Sequence, residues 1–356
     1  MLEDLSFFRG KRVLVTGHTG FKGTWLCHIL HMAGAEVAGY ALEPPTQPSA
    51  FELSGTDRLI RDHRGDIRDL EHLRQVFNRF QPEIVMHLAA QPIVRESYKN
   101  PRITYETNVM GTVNLLECVR ECESVKSVLN VTTDKVYLNR EWNWGYRENE
   151  ALDGFDPYSN SKSCSEIITH SYVNSFFAPQ GRSAVSTARA GNVIGGGDFA
   201  ADRIIPDCIR AVQKGTIIGV RNPLSTRPYQ HVLEPLFAYL DIVKEQVRCP
   251  QKAGWYNVGP DEANCINTGE LVDLFVKAWG DGAAWENQAE ANAPHEASFL
   301  KLDCSKIKYE LGWHPVWDVE RAVTETVRWT KAWMRGDDLQ KEMEDEIRSY
   351  LVDMAK

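Results

Sequence analysis

Tyr158 and Lys162 stand four residues apart in Tyr158-Ser159-Asn160-Ser161-Lys162, so a helix puts a phenol and an ammonium on one face. A cation beside a phenol lowers its pKa, and the resulting tyrosinate is a base that works near neutrality. A tyrosine and a lysine at this spacing are usually just a surface pair. Their place in the chain argues otherwise: they open a helix one crossover after an apolar run that ends in Thr132-Thr133-Asp134-Lys135. Open α/β sheets gather their reactive groups at such strand ends.

A second cluster of special residues opens the chain. The apolar run Val13-Leu14-Val15 breaks into Gly17, Gly20 and Gly23, and apolar residues at helical spacing follow. This reads as strand, tight turn and helix. Gly17 lets the chain reverse, Gly20 lets the backbone approach a pyrophosphate, and Gly23 lets the helix pack on the strand, with the helix N-terminal amides facing the anion. The second strand, Glu36 to Ala41, ends without the acid that usually holds an adenosine ribose. Glu43 follows two residues later, and the strand end carries no arginine to receive a 2′-phosphate. NAD is therefore expected over NADP.

These groups need a sheet to hold them. A first helix at about 23–33, a helix through Leu73 and Phe77, a strand at 84–88, a helix at about 101–122, a strand at 128–132 and a helix at 157–178 alternate along the first half. The alternation predicts an α/β fold: a doubly wound, parallel, Rossmann-type sheet with right-handed crossovers. After about residue 190 the rhythm loosens into Gly- and Pro-rich segments, then a run of helices at roughly 319–355 in which Trp329 and Trp333 read as core or lid packing. The expected division is 1–190, binding the dinucleotide and carrying the reactive residues, and 191–356, a smaller α/β substrate lobe interleaved with the first.

Composition narrows the function. At 356 residues with 43% hydrophobic and 25% charged content the chain is an ordinary globular protein. A net charge of −9 argues against nucleic-acid or anionic-membrane partners. The eight cysteines lack paired short spacing and the ten histidines do not pair with Cys or acids at ligand spacing, so neither disulfides nor a metal are expected. No apolar leader or membrane-length stretch is present, which points to the cytoplasm.

Together the glycine turn, Leu88-Ala89-Ala90, Thr107-Asn108-Val109-Met110-Gly111-Thr112 and the Tyr158/Lys162 pair resemble the extended short-chain dehydrogenase/reductase family. Thr133-Asp134-Lys135 resembles the catalytic triplet of its nucleotide-sugar 4,6-dehydratases, which mostly carry Thr-Asp-Glu. The change to Lys, with His18-Thr19-Gly20-Phe21-Lys22-Gly23 and Arg189 to Asp198, resembles the branch acting on CDP-glucose. The likeness extends through Leu311-Gly312-Trp313-His314-Pro315.

The resemblance implies a lyase of deoxysugar biosynthesis, of the lipopolysaccharide O-antigen type, that makes CDP-4-keto-6-deoxyglucose and water. Tyr158, held by Lys162, takes the 4-hydroxyl proton while hydride leaves carbon 4 for NAD; water is then eliminated across carbons 5 and 6, and the hydride returns to carbon 6. Thr133 bonds the 4-oxygen and Asp134 protonates the departing 6-hydroxyl. Lys135 takes the place of the carboxylate that removes the carbon 5 proton, either as a neutral amine or as a charge that stabilises the enolate. Cofactor contacts are implied at Gly17, His18, Thr19, Gly20, Phe21, Lys22, Gly23, Asp66, Ile67, Leu88, Ala89, Ala90, Gln91, Asn108, Tyr158 and Lys162. Substrate contacts are implied at Arg95, Asn192, Arg203, Arg227 and His295. The alternatives are a nucleotide-sugar 4-epimerase, a dehydratase acting on another nucleoside-diphosphate hexose, or an NAD-sensing protein without chemistry. A homodimer, or a dimer of dimers, is expected through a four-helix bundle, with Val109, Val113, Leu116, Ile167, Ile168 and Val173 supplying apolar surface beyond what one sheet face needs.

Overall fold

The computed structural model describes residues 5–289 and 299–356. Its central sheet has seven strands: β1 (Arg12–Thr16), β2 (Glu36–Ala41), β3 (Arg61–Arg64), β4 (Ile84–His87), β5 (Ser127–Thr133), β6 (Ala184–Ala190) and β7 (Trp255–Val258). All pair in parallel, in the order β7-β6-β5-β4-β1-β2-β3. The sequence order reverses between β1 and β4, and a crevice at such a switch point is where doubly wound sheets bind ligands. Every residue of β5 and β6 is buried, as expected of central strands covered on both faces.

Helix α1 (Phe21–Met32) starts two residues before the sequence expectation, directly after Gly20, with Trp25, Leu26, Ile29 and Leu30 in the core. Strand β3 escaped the sequence reading because Arg-Asp-His-Arg carries no apolar run; it is an edge strand, where charged side chains are at home. Helix α2 (Leu70–Phe80) turns Leu73, Val76, Phe77 and Phe80 inward. The long helix at 101–121 is broken in its middle: Pro101–Tyr105 and Gly111–Glu121 are α-helical, and Glu106–Met110 forms a π-turn between them. Helix α3 (Pro157–Tyr172) begins where Pro157 takes the first helical position and the Asp156 carboxylate accepts from the Ser159 amide. That cap puts Tyr158 in the first turn and Lys162 one turn on.

Beyond β6 the chain leaves the sheet and returns. Helix α4 (Leu233–Arg248) packs on β5 and β6, and β7 then joins the sheet edge. A separate core lies between α5 (Ile204–Gln213), α6 (Thr268–Trp279) and α7 (Val319–Arg335), with Ile205, Leu271, Phe275 and Val323 inside. Trp329 on α7 instead belongs to the main core and is fully buried, so the core reading of that residue holds. Helix α8 (Leu339–Met354) closes over α1. Among the described residues, no helix is long and apolar enough to cross a membrane.

Candidate functional site

The strand ends at the switch point bring the sequence motifs together. Gly17 has φ +75°, and a Cβ there would lie 2.7 Å from the Ala89 nitrogen, because the end of β4 crosses directly over the turn. A Cβ on Gly23 would lie 2.2 Å from the Gly17 carbonyl oxygen. Gly20 differs, since a Cβ there would meet only that oxygen at 3.4 Å, so its outer side is clear for a ligand. The first amides of α1 have no intrahelical partner and converge there, so the turn fits a pyrophosphate. His18 lends only backbone: its ring is buried over Gly39, and Nε2 lies 2.8 Å from the Asp62 carboxylate. Thr19 donates to the Leu42 carbonyl at 3.0 Å.

The end of β2 departs from the sequence reading in one respect. Arg64, at the end of β3, pairs in register with Ala41, donates to the Leu42 carbonyl at 3.3 Å and pairs with Glu43 at 3.2 Å. An arginine therefore does stand at the end of β2, supplied by the neighbouring strand. Asp66 is bound by Arg68, while Ile67 is buried. Asn108 is buried and fully engaged, accepting from the Gln91 amide at 2.8 Å and donating to the Gln91 carbonyl and the Ser161 hydroxyl. It holds the Leu88-Ala89-Ala90-Gln91 segment in place by these bonds.

At the end of β5, Thr133 and Asp134 are buried, Lys135 is half-buried, and Thr133 donates to Asp134 Oδ1 at 2.9 Å. The other oxygen, Oδ2, is buried without a hydrogen-bond partner. Burial pushes the Asp134 carboxyl above its usual range, against the pull of Lys135, Thr133, Arg227 and Lys22. A raised carboxyl pKa suits a proton donor.

Tyr158 and Lys162 lie at this strand end. Lys162 Nζ donates to the Val131 carbonyl at 2.9 Å, and burial, then Lys22, bring its pKa down to about 8. Burial pushes the Tyr158 phenol up to about 12; Thr133 by hydrogen bond and Arg203 by charge oppose that rise.

Sequence reasoning missed one member of this constellation, Asp198. Asp198 holds Arg203 at 2.9 Å, at the end of a Gly195-Gly196-Gly197 loop that packs on Trp329; the Trp25 indole donates to the Gly196 carbonyl. Lys22 was assigned to the cofactor with the rest of its turn, yet its ammonium lies within electrostatic reach of Arg203, Asp134 and Asp198. Burial and then Arg203 push it down to about 8. Arg227 was assigned to the substrate and is buried beside Asp134. Arg95 faces Asp202 at 3.7 Å, and the Asn192 carbonyl accepts from the Gln230 amide. His295 lies outside the described residues.

The arrangement offers a phenol, a hydroxyl, an acid and amines around one point beside a glycine turn. Over 354 residues the chain is 50% identical to the CDP-glucose 4,6-dehydratase of Salmonella typhimurium, covering 98% of both chains. It superimposes on the UDP-glucose 4-epimerase of Thermus thermophilus in complex with NAD with a TM-score of 0.78 at 25% identity, covering 90% of this chain and 99% of that one. The dTDP-glucose 4,6-dehydratase of Bacillus anthracis in complex with NAD shares the fold with a TM-score of 0.75 at 22% identity, over 90% and 97% of the two chains. A family model spans residues 14–326, from β1 into α7, and by that match the chain belongs to the GDP-mannose 4,6 dehydratase family.

Proposed function

We propose that this protein is an NAD-dependent hydro-lyase converting CDP-glucose to CDP-4-keto-6-deoxyglucose and water, the activity named for its Salmonella relative. The observation that carries the reading is Asp134: a carboxyl sealed at the strand end, with its pKa raised, beside Tyr158 and Lys135. Elimination of a 6-hydroxyl needs such an acid. Epimerisation at carbon 4 does not.

Bound at the glycine turn, NAD supplies the acceptor and later the donor of a hydride. Tyr158 takes the 4-hydroxyl proton, Thr133 bonds the 4-oxygen, and Lys162 fixes the strand beneath them. Asp134 gives its proton to the leaving 6-hydroxyl, and Lys135 attends carbon 5. Arg203 and Arg227 face the substrate from the second lobe, with Asn192 and Arg95 at the mouth; we take 1–190 and 191–356 as the two lobes that close on it. The eight cysteines, all free thiols, fit a reducing compartment such as the cytoplasm.

We also propose a dimer formed through the outer faces of α3 and the helix at 101–121. Ile103, Met110 and Ile167 are about half exposed there, with Tyr98 nearby on the short helix Val94–Lys99. Leu116 is not part of that face, because it is fully buried against the sheet and α2.

The test is incubation with NAD and CDP-, dTDP- or GDP-glucose. A 4-keto-6-deoxy product from CDP-glucose in preference to the others supports the reading. CDP-galactose makes the protein an epimerase, and absence of any product makes it a binding protein.

A further inference from the structure

Two charged residues at the root of the site have no part in the reaction above. Glu166 follows Lys162 by one turn of α3, and Arg189 lies on β6; neither is exposed to solvent. Glu166 Oε1 accepts from the Thr132 hydroxyl. Its Oε2 accepts from the Thr187 hydroxyl at 2.7 Å and from Arg189 Nη2 at 2.9 Å, and the His170 ring lies 3.3 Å away. Arg189 Nη1 donates in turn to the Tyr137 hydroxyl at 2.8 Å and the Glu148 carbonyl at 3.0 Å. The Tyr137 hydroxyl donates to Asn257 Oδ1 on β7 at 2.6 Å. Burial pushes the Glu166 carboxyl up, but Arg189, His170 and Thr132 outweigh it and hold it at about 2, so it stays charged at any working pH.

These bonds bracket the catalytic triplet. Thr132 is the residue before Thr133, and Tyr137 is the residue after the 3-10 turn Asp134–Val136 that carries Asp134 and Lys135. One carboxylate thus grips the near end of the triplet directly and its far end through Arg189 and Tyr137. Within the turn itself the Thr133 hydroxyl accepts from the Lys135 amide at a long 3.4 Å, and from α3 the Ser163 hydroxyl donates to the Val136 carbonyl at 2.7 Å, which leaves the Asp134 and Lys135 end held mainly through Thr132 and Tyr137. A buried ion pair is seldom more stabilising than well-packed apolar side chains, so its use here calls for a geometric reason.

We infer that Glu166 and Arg189 are a positioning pair, a clamp that fixes Asp134 and Lys135 relative to Tyr158. The inference rests on the proposed reaction only in naming which step suffers when the clamp is lost. Misplacing an acid by a fraction of an ångström slows its step while leaving substrate affinity nearly intact.

Three variants test it. Tyr137→Phe cuts the link to the far end and leaves the ion pair whole. Glu166→Gln removes the charge at the centre, and Glu166→Gln combined with Arg189→Met removes both charges. Amide hydrogen exchange is followed by mass spectrometry for the peptide spanning 133–137 and for the glycine turn at 17–23. The kcat and KM for CDP-glucose are measured on the same samples with NAD present. The clamp predicts faster exchange at 133–137 alone, in all three variants, and kcat lowered by roughly 10²-fold with KM little changed. In the double variant it also predicts a melting temperature that recovers from that of Glu166→Gln while kcat does not. Should Glu166→Gln fail to fold, Tyr137→Phe still carries the comparison. Wild-type exchange at 133–137 in folded Tyr137→Phe and in the double variant overturns the clamp, whatever the substrate proves to be. So does a double variant that recovers kcat together with stability.

Discussion

At the scale of single residues the site divides its labour between groups whose protons are held in different ways. Tyr158→Phe removes only a hydroxyl, and it should abolish both turnover and exchange of the carbon 5 hydrogen with deuterated water. Asp134→Asn should lower turnover by about 10²–10⁴-fold, the usual worth of a positioned acid, yet still allow carbon 5 exchange, because oxidation at carbon 4 precedes the proton it fails to deliver. Equal loss of exchange in both variants would mean the roles are assigned wrongly. Asp134 also carries a stability signature. Its pKa is raised by burial, so the carboxyl stabilises the fold relative to its ionised form at low pH, and this contribution fades as pH rises through the folded-state value. Asp134→Asn should therefore gain in stability over wild type as pH rises above the ordinary carboxylate range, because it removes the charge that burial disfavours. The two proteins should converge below the ordinary carboxylate range, as read by thermal melts across pH. Lys135 is settled by Lys135→Arg: guanidinium cannot give up its proton, so retained carbon 5 exchange excludes lysine as the base, and lost exchange in a folded variant supports it.

Elements carry the next set of constraints, and the three glycines of the first turn separate packing from binding. Gly23→Ala drives a Cβ to 2.2 Å from the Gly17 carbonyl and to 2.6 Å from the His18 Cα, so it should cost about 1–3 kcal/mol in denaturant melts as α1 is pushed off the turn. Gly20→Ala meets almost nothing and should melt like wild type while binding NAD more weakly in calorimetry. The opposite ranking would mean the turn is merely structural. Strong patterns in the chain made most elements legible, among them the apolar runs of β1, β4 and β5. Strand β3 was illegible because an edge strand can be polar along its whole length, and with it went Asp62, which meets His18, and Arg64, which meets Glu43. The π-turn at Glu106–Met110 leaves no mark in a helical pattern that continues on both sides.

On the scale of the whole molecule the chain makes one sheet and then sends segments back to it, so the site is assembled from both halves. That explains why the surroundings of Lys22, Asp198, Arg203 and Arg227 were only partly legible: the order of residues along the chain does not say which loop after β6 lands on which strand end. The outer helices make a prediction of their own. Ile167→Glu places a charge on the proposed dimer face, and sedimentation should show a monomer where wild type sediments as a dimer or tetramer; a wild-type monomer at micromolar concentration removes the proposal. In the proposed reaction one site oxidises carbon 4, eliminates water and reduces carbon 6 of the same sugar. It is tested most directly by following CDP-glucose labelled with deuterium at carbon 4, by nuclear magnetic resonance and mass spectrometry of the product. The account predicts CDP-4-keto-6-deoxyglucose with the deuterium on carbon 6 and no net consumption of NAD. Deuterium retained at carbon 4 in CDP-galactose, or a product whose label has been lost to solvent or to free cofactor, would contradict it.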